Sequence, residues 1–213
     1  MERDYKMIKY SIGFAKKSVR SSQRVLRQIG NLFLPNMIKA HKQLEIKGSV
    51  WSMLAYQKLK ITGKGKVTIG KSCAFGAPLG GYYHKGLIEL QSRYADSKIV
   101  IGDNVATNNN LFICCKERIV VGDDCLIGHN VVLMDFDGHP IDPTMRRKSD
   151  GLFETITIGK NVWIGNNVTI LRGTQIGDNS VVATGAVVKG KFPSNVIIGG
   201  VPARVIRDIQ TKA

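Results

Sequence analysis

Residues 158–193 read IGKNVW, IGNNVT, ILRGTQ, IGDNSV, VATGAV and VKGKFP, which is a repeat with a period of six. An α-helix has 3.6 residues per turn and would scatter such a repeat around its surface. Short β-strands separated by Gly and Asn turns fit the period, and stacked coils would bury the leading residues in one column. The leading positions are Ile158, Ile164, Ile170, Ile176, Val182 and Val188, and a second column of small or β-branched side chains is formed by Val162, Val168, Thr174, Ser180 and Ala186.

The same period occurs earlier in the chain, with interruptions. Three stretches break it: a Gly- and Tyr-rich segment at 77–86, a two-residue slip near 116–118, and a long gap at 134–157. Solenoids tolerate insertions at their corners, and such loops often form the working surface. The earlier leading positions are Ile69 and Phe75, then Ile101, Thr107 and Ile113, then Val121, Ile127 and Leu133.

The composition favours a soluble globular protein with one sizeable core and a smaller appendage. The chain has 213 residues, of which 43% are hydrophobic, and no apolar run is long enough to span a bilayer. No signal peptide is evident, so a cytoplasmic location is expected. The four cysteines show neither CxxC spacing nor a secreted framework, which predicts buried, reduced thiols; they are Cys73, Cys114, Cys115 and Cys125.

The first 47 residues form a separate basic segment, and residues 48–213 the solenoid domain. The segment carries 11 Lys and Arg against 3 Asp and Glu, within a total net charge of +15. Apolar residues at helical spacing predict one or two amphipathic helices that end near Pro35. Such a helix either packs on the solenoid, with Leu32, Phe33 and Leu34 capping its open end, or lies on an anionic membrane surface. The apolar positions are Ile8, Ile12, Ala15, Val19, Leu26 and Ile29.

Residues Val205 to Gln210 are expected to begin a short C-terminal helix. The basic segment lacks interleaved aromatic residues and any docking motif, which argues against nucleic acid as a partner.

The motif DFDGHP, residues 135–140, lies in the long gap. Gly138 and Pro140 mark a turn, so His139 is expected on a loop and not inside a strand.

Three stretches together resemble the hexapeptide-repeat acyltransferases, in particular the galactoside, maltose and polysaccharide O-acetyltransferases. They are ITIGKNVWIGNNVTILRGTQIGDNSVVATGAVV at 156–188, FPSNVIIGGVPARVIRDI at 192–209, and GHPID at 138–142. The resemblance implies a left-handed parallel β-helix of triangular section with three hexads per coil. It also implies a homotrimer whose active sites lie between subunits, so that a projecting loop at 134–157 reaches a neighbouring wall.

The resemblance assigns roles to four sets of residues. His139 would be the general base that removes a proton from an acceptor hydroxyl. Asp135 or Asp137 would hold its imidazole, unless both are turn formers. Asn108 would bind acceptor hydroxyls, with an asparagine ladder at a corner as the alternative, and Trp163 would stack on sugar or pantetheine, with packing between coils as the alternative.

Acetyl-CoA is the implied co-substrate, and no metal is expected. The family's acceptor-side carboxylate falls here at Lys116 or Glu117, and its Thr-Lys pair is replaced by Lys189 and Gly190, so the acceptor and phosphate contacts depart from the family pattern. The implied CoA-binding residues are Asn166, Thr184, Lys189, Lys191, Arg204 and Arg207.

The resulting hypothesis is an acetyl-CoA-dependent O-acetyltransferase acting on a hydroxyl of a sugar or polysaccharide precursor. An N-acetyltransferase of an amino-sugar nucleotide and a non-catalytic binding module remain alternatives. A zinc enzyme of the same fold would need three converging histidines, and His84, His129 and His139 lack that spacing. Peripheral contact of residues 1–47 with the inner face of a membrane would bring the site to lipid-linked saccharides.

Overall fold

The computed structural model describes residues 22–33 and 43–210. Within these ranges, helical structure is confined to an α-helix over residues 22–28, a π-helical turn at Ile29–Phe33 and a 3-10 turn at Val50–Ser52. Several positions of the predicted amphipathic helix lie outside the described residues, namely Ile8, Ile12, Ala15, Val19, Leu34 and Pro35.

In the described part of the chain, the remaining regular structure consists of 21 short β-strands. The strands of the first half are β1 (Leu44–Ile46), β2 (Leu54–Ala55), β3 (Leu59–Gly63), β4 (Lys66–Ile69), β5 (Ala74–Phe75), β6 (Ile88–Ser92), β7 (Lys98–Ile101), β8 (Ala106–Thr107), β9 (Phe112–Cys115), β10 (Arg118–Val121) and β11 (Leu126–Ile127). Those of the second half are β12 (Val132–Met134), β13 (Ile156–Ile158), β14 (Trp163–Ile164), β15 (Thr169–Leu171), β16 (Gln175–Ile176), β17 (Val181–Val182), β18 (Val187–Val188), β19 (Lys191–Phe192), β20 (Val196–Gly200) and β21 (Ala203–Asp208).

The strands form three sheets, one along each side of a left-handed parallel β-helix, as expected. The first sheet has the order β1-β4-β7-β10-β13-β16-β19 and the second β2-β5-β8-β11-β14-β17-β20-β21. The third has the order β18-β15-β12-β9-β6-β3, and every pairing except β20 with β21 is parallel. Because β1 is the first strand of the first sheet, the solenoid begins before residue 48, inside the segment that the sequence assigned to helices.

The leading residues of the hexads are confirmed as the core, but they lie in three columns, one per sheet, and not in a single column. Each leading residue pairs with the one three hexads later: Ile158 with Ile176, Ile164 with Val182, and Ile170 with Val188. The Ile158 and Ile176 side chains are 1% and 3% exposed. All leading residues and the whole second column are buried, including Thr174 and Ser180. The earlier repeat joins the same columns across its slip, since Ile101 pairs with Val121. Full burial of each aliphatic side chain contributes about 1.5–3 kcal/mol, so the stacked columns are the main source of stability.

Asparagines at the corners let the chain turn. Asn161, Asn179 and Asn195 adopt φ angles of 52°, 58° and 61°, a left-handed conformation that asparagine tolerates better than most residues. Their side-chain amides donate to one another up the stack, at 3.0 Å and 3.2 Å. The fourth residue of the IGxN hexads is therefore fixed by backbone geometry.

The helical segment closes one end of the second sheet. The Gln28 side chain donates to the Met53 carbonyl at 2.5 Å and accepts from the Ala55 amide at 3.0 Å, so it pairs with the open edge of β2. Asn31 donates to the Ala55 carbonyl at 3.0 Å, and Leu32 is 2% exposed in the core. The described helix thus caps the first coil.

The face of the helix that packs differs from the predicted one. Leu26 and Ile29 are 67% and 40% exposed, because the contact is made by Gln28, Asn31 and Leu32. Spacing alone groups Leu26 and Ile29 on one apolar face, which a helix packed on the solenoid is expected to bury. An open sheet edge instead selects amides, which can satisfy its unpaired backbone groups.

The predicted C-terminal helix is wrong. The chain turns at Val201 and Pro202 and returns as β21, antiparallel to β20. Val205 and Ile206 are β-branched residues that favour extended backbone, and the edge of β20 offers hydrogen-bond partners. A single helical turn would have offered less, since isolated short helices are marginal in water.

The four cysteines are buried and free, as predicted. Burial raises the pKa of the Cys125 thiol to about 11 and also raises those of Cys73, Cys114 and Cys115. These groups remain neutral thiols at physiological pH, which makes them poor nucleophiles.

Candidate active site

His139 lies on a projecting loop, residues 135–155, which we call the His139 loop. The loop leaves β12 and returns to β13 through a narrow neck, in which Phe136 pairs with Phe153 in an antiparallel bridge. The Asp137 amide donates to the Leu152 carbonyl at 2.7 Å. The long gap in the hexad pattern therefore corresponds to an ordered insertion with paired ends.

Arg172 ties both sides of this neck to the next coil. Its Nε donates to the Asp137 carboxylate at 2.7 Å, and a guanidinium nitrogen lies 3.9 Å from a carboxylate oxygen of Glu154. The Arg172 side chain is only 12% exposed, so this pair is better shielded from water than an ordinary surface ion pair. No sequence motif indicates this contact, because Arg172 and Asp137 are 35 residues apart along the chain.

The imidazole of His139 is held by a backbone group. Its Nδ1 lies 2.8 Å from the carbonyl oxygen of Arg146, within the same loop. A carbonyl can only accept, so Nδ1 is the donor in this contact, and in the neutral imidazole the lone pair is then on Nε2. The turn that returns Arg146 is fixed by Asp142, whose carboxylate accepts from the Thr144 amide and hydroxyl at 2.8 Å each; both bonds lower the pKa of Asp142.

Neither predicted carboxylate contacts His139 in the described part of the chain. Asp135 is fully buried and accepts from the backbone amides of Lys116, Glu117 and Arg118 at 2.6, 2.8 and 2.8 Å. It thereby fixes the two-residue slip. Asp137 is the partner of Arg172. Both act as supports of the loop, which corrects the expectation that one of them orients the imidazole.

A groove on the second sheet gathers three of the predicted binding residues. It has a volume of about 280 Å³ and is lined by Asn108, Trp163 and Asn166, together with Leu126. Trp163 is 56% exposed on the outward face, so it does not pack between coils within this chain. Leu126, its register partner, is 54% exposed and was missed because it precedes a leading residue without any distinguishing motif.

The three consecutive asparagines make different contacts. Asn110 belongs to a corner ladder, donating to Asn130 at 3.0 Å, and Asn109 is fully buried and binds the 77–86 loop. Asn108 accepts from the Asn109 amide at 2.8 Å and lines the groove. The ladder alternative therefore applies to Asn110, whereas Asn108 is the member that faces the groove.

The predicted CoA-binding residues fall into separate places. Asn166 accepts from the His129 amide at 3.0 Å, so its carbonyl oxygen is already used within the coil corner. Thr184 is exposed at the same corner one coil further on. The four basic residues are distributed differently: Lys191 is on β19 of the first sheet, Lys189 precedes it, and Arg204 and Arg207 lie on β21 of the second sheet. A single chain does not bring them all to the groove.

His139 is likewise not among the residues that line this groove. In residues 22–33 and 43–210, no group of three or more His, Cys, Asp or Glu side chains could hold a metal ion.

Comparison with known proteins gives consistent matches. A sequence family described as "Bacterial transferase hexapeptide (six repeats)" matches residues 155–190, and "Hexapeptide repeat of succinyl-transferase" matches residues 118–138. A Saccharomyces cerevisiae protein named "Putative acetyltransferase YJL218W" is 38% identical over 180 residues. The match covers 84% of this chain and 86% of that protein. Galactoside O-acetyltransferase of Escherichia coli K12 is 44% identical over 116 residues, and the match covers 54% of this chain and 57% of that enzyme.

Solved structures agree with these matches. A galactoside acetyltransferase in complex with coenzyme A is 26% identical, with a TM-score of 0.51, over 93% of this chain and 83% of that one. The polysialic-acid-specific acetyltransferase NeuO is also 26% identical, with a TM-score of 0.60, over 80% of this chain and 69% of that one.

Proposed function

The chain belongs to the hexapeptide-repeat acetyltransferase family, and from this premise we propose that it is an acetyl-CoA-dependent O-acetyltransferase acting on a sugar or polysaccharide precursor. The observation that carries the proposal is the contact between His139 Nδ1 and the Arg146 carbonyl, which leaves Nε2 able to accept a proton. Relatives named for galactoside and polysialic acid support a carbohydrate acceptor.

The proposed reaction uses His139 twice. Nε2 removes the proton from an acceptor hydroxyl as that oxygen attacks the thioester carbonyl of acetyl-CoA. The tetrahedral intermediate then collapses, the bond from carbon to sulfur breaks, and the CoA thiolate takes the proton from Nε2. An imidazole suits both steps because its ordinary pKa is about 6.5. The products are an acetyl ester and free CoA.

The groove on the second sheet is the proposed site for the reactants. The indole of Trp163 and the side chain of Leu126 offer an apolar wall to the pantetheine arm. Asn108 offers an amide that can bind an acceptor hydroxyl. Thr184 and Asn166 extend the wall. The phosphates would meet cationic side chains, for which the candidates remain Lys189, Lys191, Arg204 and Arg207.

Release of CoA thiol tests this function. Purified protein should release thiol from acetyl-CoA faster when a suitable carbohydrate is added than when buffer alone is added. A rate that no carbohydrate raises would count against the proposal.

We expect a homotrimer, because His139 is exposed on a projecting loop and the groove of its own chain does not include it. A second copy would supply the missing wall. Light scattering should give three times the 23.4 kDa chain mass, and a fully active monomer would exclude the shared site.

A mixing experiment tests the shared site independently of mass. Chains with His139→Ala and chains with Trp163→Ala are each expected to be inactive. Co-assembly of equal amounts of the two variants should restore about a quarter of wild-type activity. In randomly mixed trimers, about a quarter of the interfaces combine an intact His139 loop from one chain with an intact groove from its neighbour. No recovery in verified mixed trimers would place each site within one chain.

We further propose peripheral contact with an anionic membrane through the basic segment. No helix in the described ranges is long and apolar enough to cross a bilayer. The outer side of the helix at 22–33 exposes Val25, Leu26 and Ile29. Arg24 and Arg27 lie beside this strip and are exposed, although Arg24 donates to the Trp51 carbonyl and Arg27 lies over the Tyr56 ring. An apolar strip flanked by cations is typical of helices that lie in a membrane interface.

Vesicle co-sedimentation tests this contact with the full chain. Binding to anionic vesicles should fall with added salt, because each basic residue near such a surface contributes about 1 kcal/mol. Leu26→Asp should abolish binding, whereas Leu79→Asp, a fully exposed leucine elsewhere, should not. Equal binding of both variants, or binding to neutral vesicles alone, would remove the helix from this role.

A further inference from the structure

The insertion at residues 77–87, which we call the aromatic loop, lies directly beside the groove. It follows β5 and crosses the corner formed by the asparagine triplet. The buried Asn109 side chain accepts from the Ala77 amide at 2.9 Å and donates to the carbonyls of Ala77 and Gly81 at 2.8 and 3.0 Å. Gly80 approaches Asn108 so closely that an added Cβ would lie 2.1 Å from its side-chain oxygen. The loop and the groove therefore form one continuous surface.

A second buried amide holds the other side of the aromatic loop. Gln57, 2% exposed, donates to the carbonyls of Tyr82 and Tyr83 at 2.8 and 3.2 Å. Its oxygen accepts from the Asn110 amide at 2.7 Å. The buried side chains of Gln57 and Asn109 thus hold in place a surface loop that contributes little to the core. Such support is expected where a loop positions side chains for binding.

Tyr82 lies in the part of the aromatic loop that Gln57 and Asn109 hold in place. Its φ angle is 64°, a left-handed conformation that is uncommon for a bulky aromatic residue, and its side chain is 51% exposed. Its ring lies 5.5 Å from the ring of His129, at 52°. A strained backbone that keeps an exposed tyrosine in place, where glycine would be relaxed, points to a use for the side chain.

We propose that the aromatic loop binds a second sugar residue of the acceptor, next to the sugar held at Asn108. The inference rests on the proposed function and narrows it from sugars in general to oligosaccharides or polysaccharides. An exposed aromatic ring offers an apolar face to the C–H side of a sugar, and the imidazole of His129 and the Tyr82 hydroxyl can bind its hydroxyls. The loop also lines an open hollow of about 460 Å³, with Pro78, Leu79, Tyr82, Tyr83 and His84 among its lining residues.

Acceptor length is the property to measure. With a panel of methyl hexosides and the trisaccharides built from them, kcat/KM of the wild-type protein should be at least tenfold higher for the best trisaccharide than for its monosaccharide. Tyr82→Ala should remove this preference without changing kcat/KM for the monosaccharide or KM for acetyl-CoA. Tyr82→Phe, which keeps the ring, should retain most of it. Trp51→Ala, which removes a side chain of similar exposure (49%) in the first coil, serves as the matched control and should change neither value.

A purely structural role for Tyr82 gives a different result. Tyr82→Gly relaxes the left-handed backbone, so its melting temperature should equal or exceed that of the wild type while the length preference is lost. A lower melting temperature together with equal loss for short and long acceptors would show that Tyr82 only supports the loop, and would overturn the inference. Equal use of monosaccharides and trisaccharides by the wild type would overturn it as well, with the proposed function intact. Acetylation of no carbohydrate at all would instead overturn the proposed function, and the inference with it.

Discussion

Replacement of His139 by alanine should lower kcat for acetyl transfer by roughly a hundred- to ten-thousand-fold, the usual contribution of a positioned acid-base group. The acceptor hydroxyl would then have to attack with its proton in place, and the departing thiolate would receive none. Thermal stability should be unchanged, because the imidazole is exposed and its one described hydrogen bond lies within the loop.

Two measurements separate loss of the base from loss of the site. His139→Gln keeps a polar side chain of similar size, has no basic nitrogen, and should be as inactive as His139→Ala. Both variants should still be stabilised by CoA in a thermal shift assay, because the groove around Trp163 is untouched. Turnover near the wild-type rate in either variant would remove His139 from the mechanism.

Replacement of Asp135 by alanine should cost about 3–5 kcal/mol of the free energy of unfolding. Its carboxylate is fully buried and accepts from three consecutive backbone amides, those of Lys116, Glu117 and Arg118. Each donor left without an acceptor costs about 1–3 kcal/mol. Partial relaxation and entry of water should keep the total below the sum.

Urea unfolding of Asp135→Ala and of a matched variant checks this expectation. Asp150→Ala removes another carboxylate that bonds Lys116, at 2.6 Å, but its side chain is 68% exposed. An exposed pair of this kind contributes little, so the midpoint should hardly move. If Asp135→Ala unfolds at the wild-type urea concentration, the slip near residue 116 is not held by that carboxylate.

The period of six predicted the solenoid in detail because each hexad repeats the same local rule. Spacing identifies Ile101, Val121, Ile158 and Ile176 as leading residues, and in the structure they pair with one another in register along the first sheet. The slip was visible in the sequence, but its cause was not. The carboxylate that fixes it, Asp135, comes from the following coil.

The candidate site could be predicted only in part, because it does not follow the hexad repeat. His139, Asn108 and Trp163 were found because they match positions of the family that the sequence resembles. The supports of the loops were not, since Arg172 meets Asp137, and Gln57 meets Asn110, only after the coils have stacked. The C-terminal strand was missed for the related reason that its partner, the free edge of β20, exists only in the folded solenoid.

The bond formed on the acceptor is the most direct test of the proposed function. The wild-type protein is incubated with a panel of carbohydrates and with acetyl-CoA that is labelled in its acetyl group. Free CoA is measured before any treatment, and labelled carbohydrate is counted before and after mild hydroxylamine, which cleaves esters and leaves amides. We predict one labelled acetyl group on a carbohydrate for each CoA released, with the label removed by hydroxylamine and absent when His139→Ala is used. A hydroxylamine-resistant product would mean that the enzyme acylates an amine, and CoA release without any labelled carbohydrate would contradict the account.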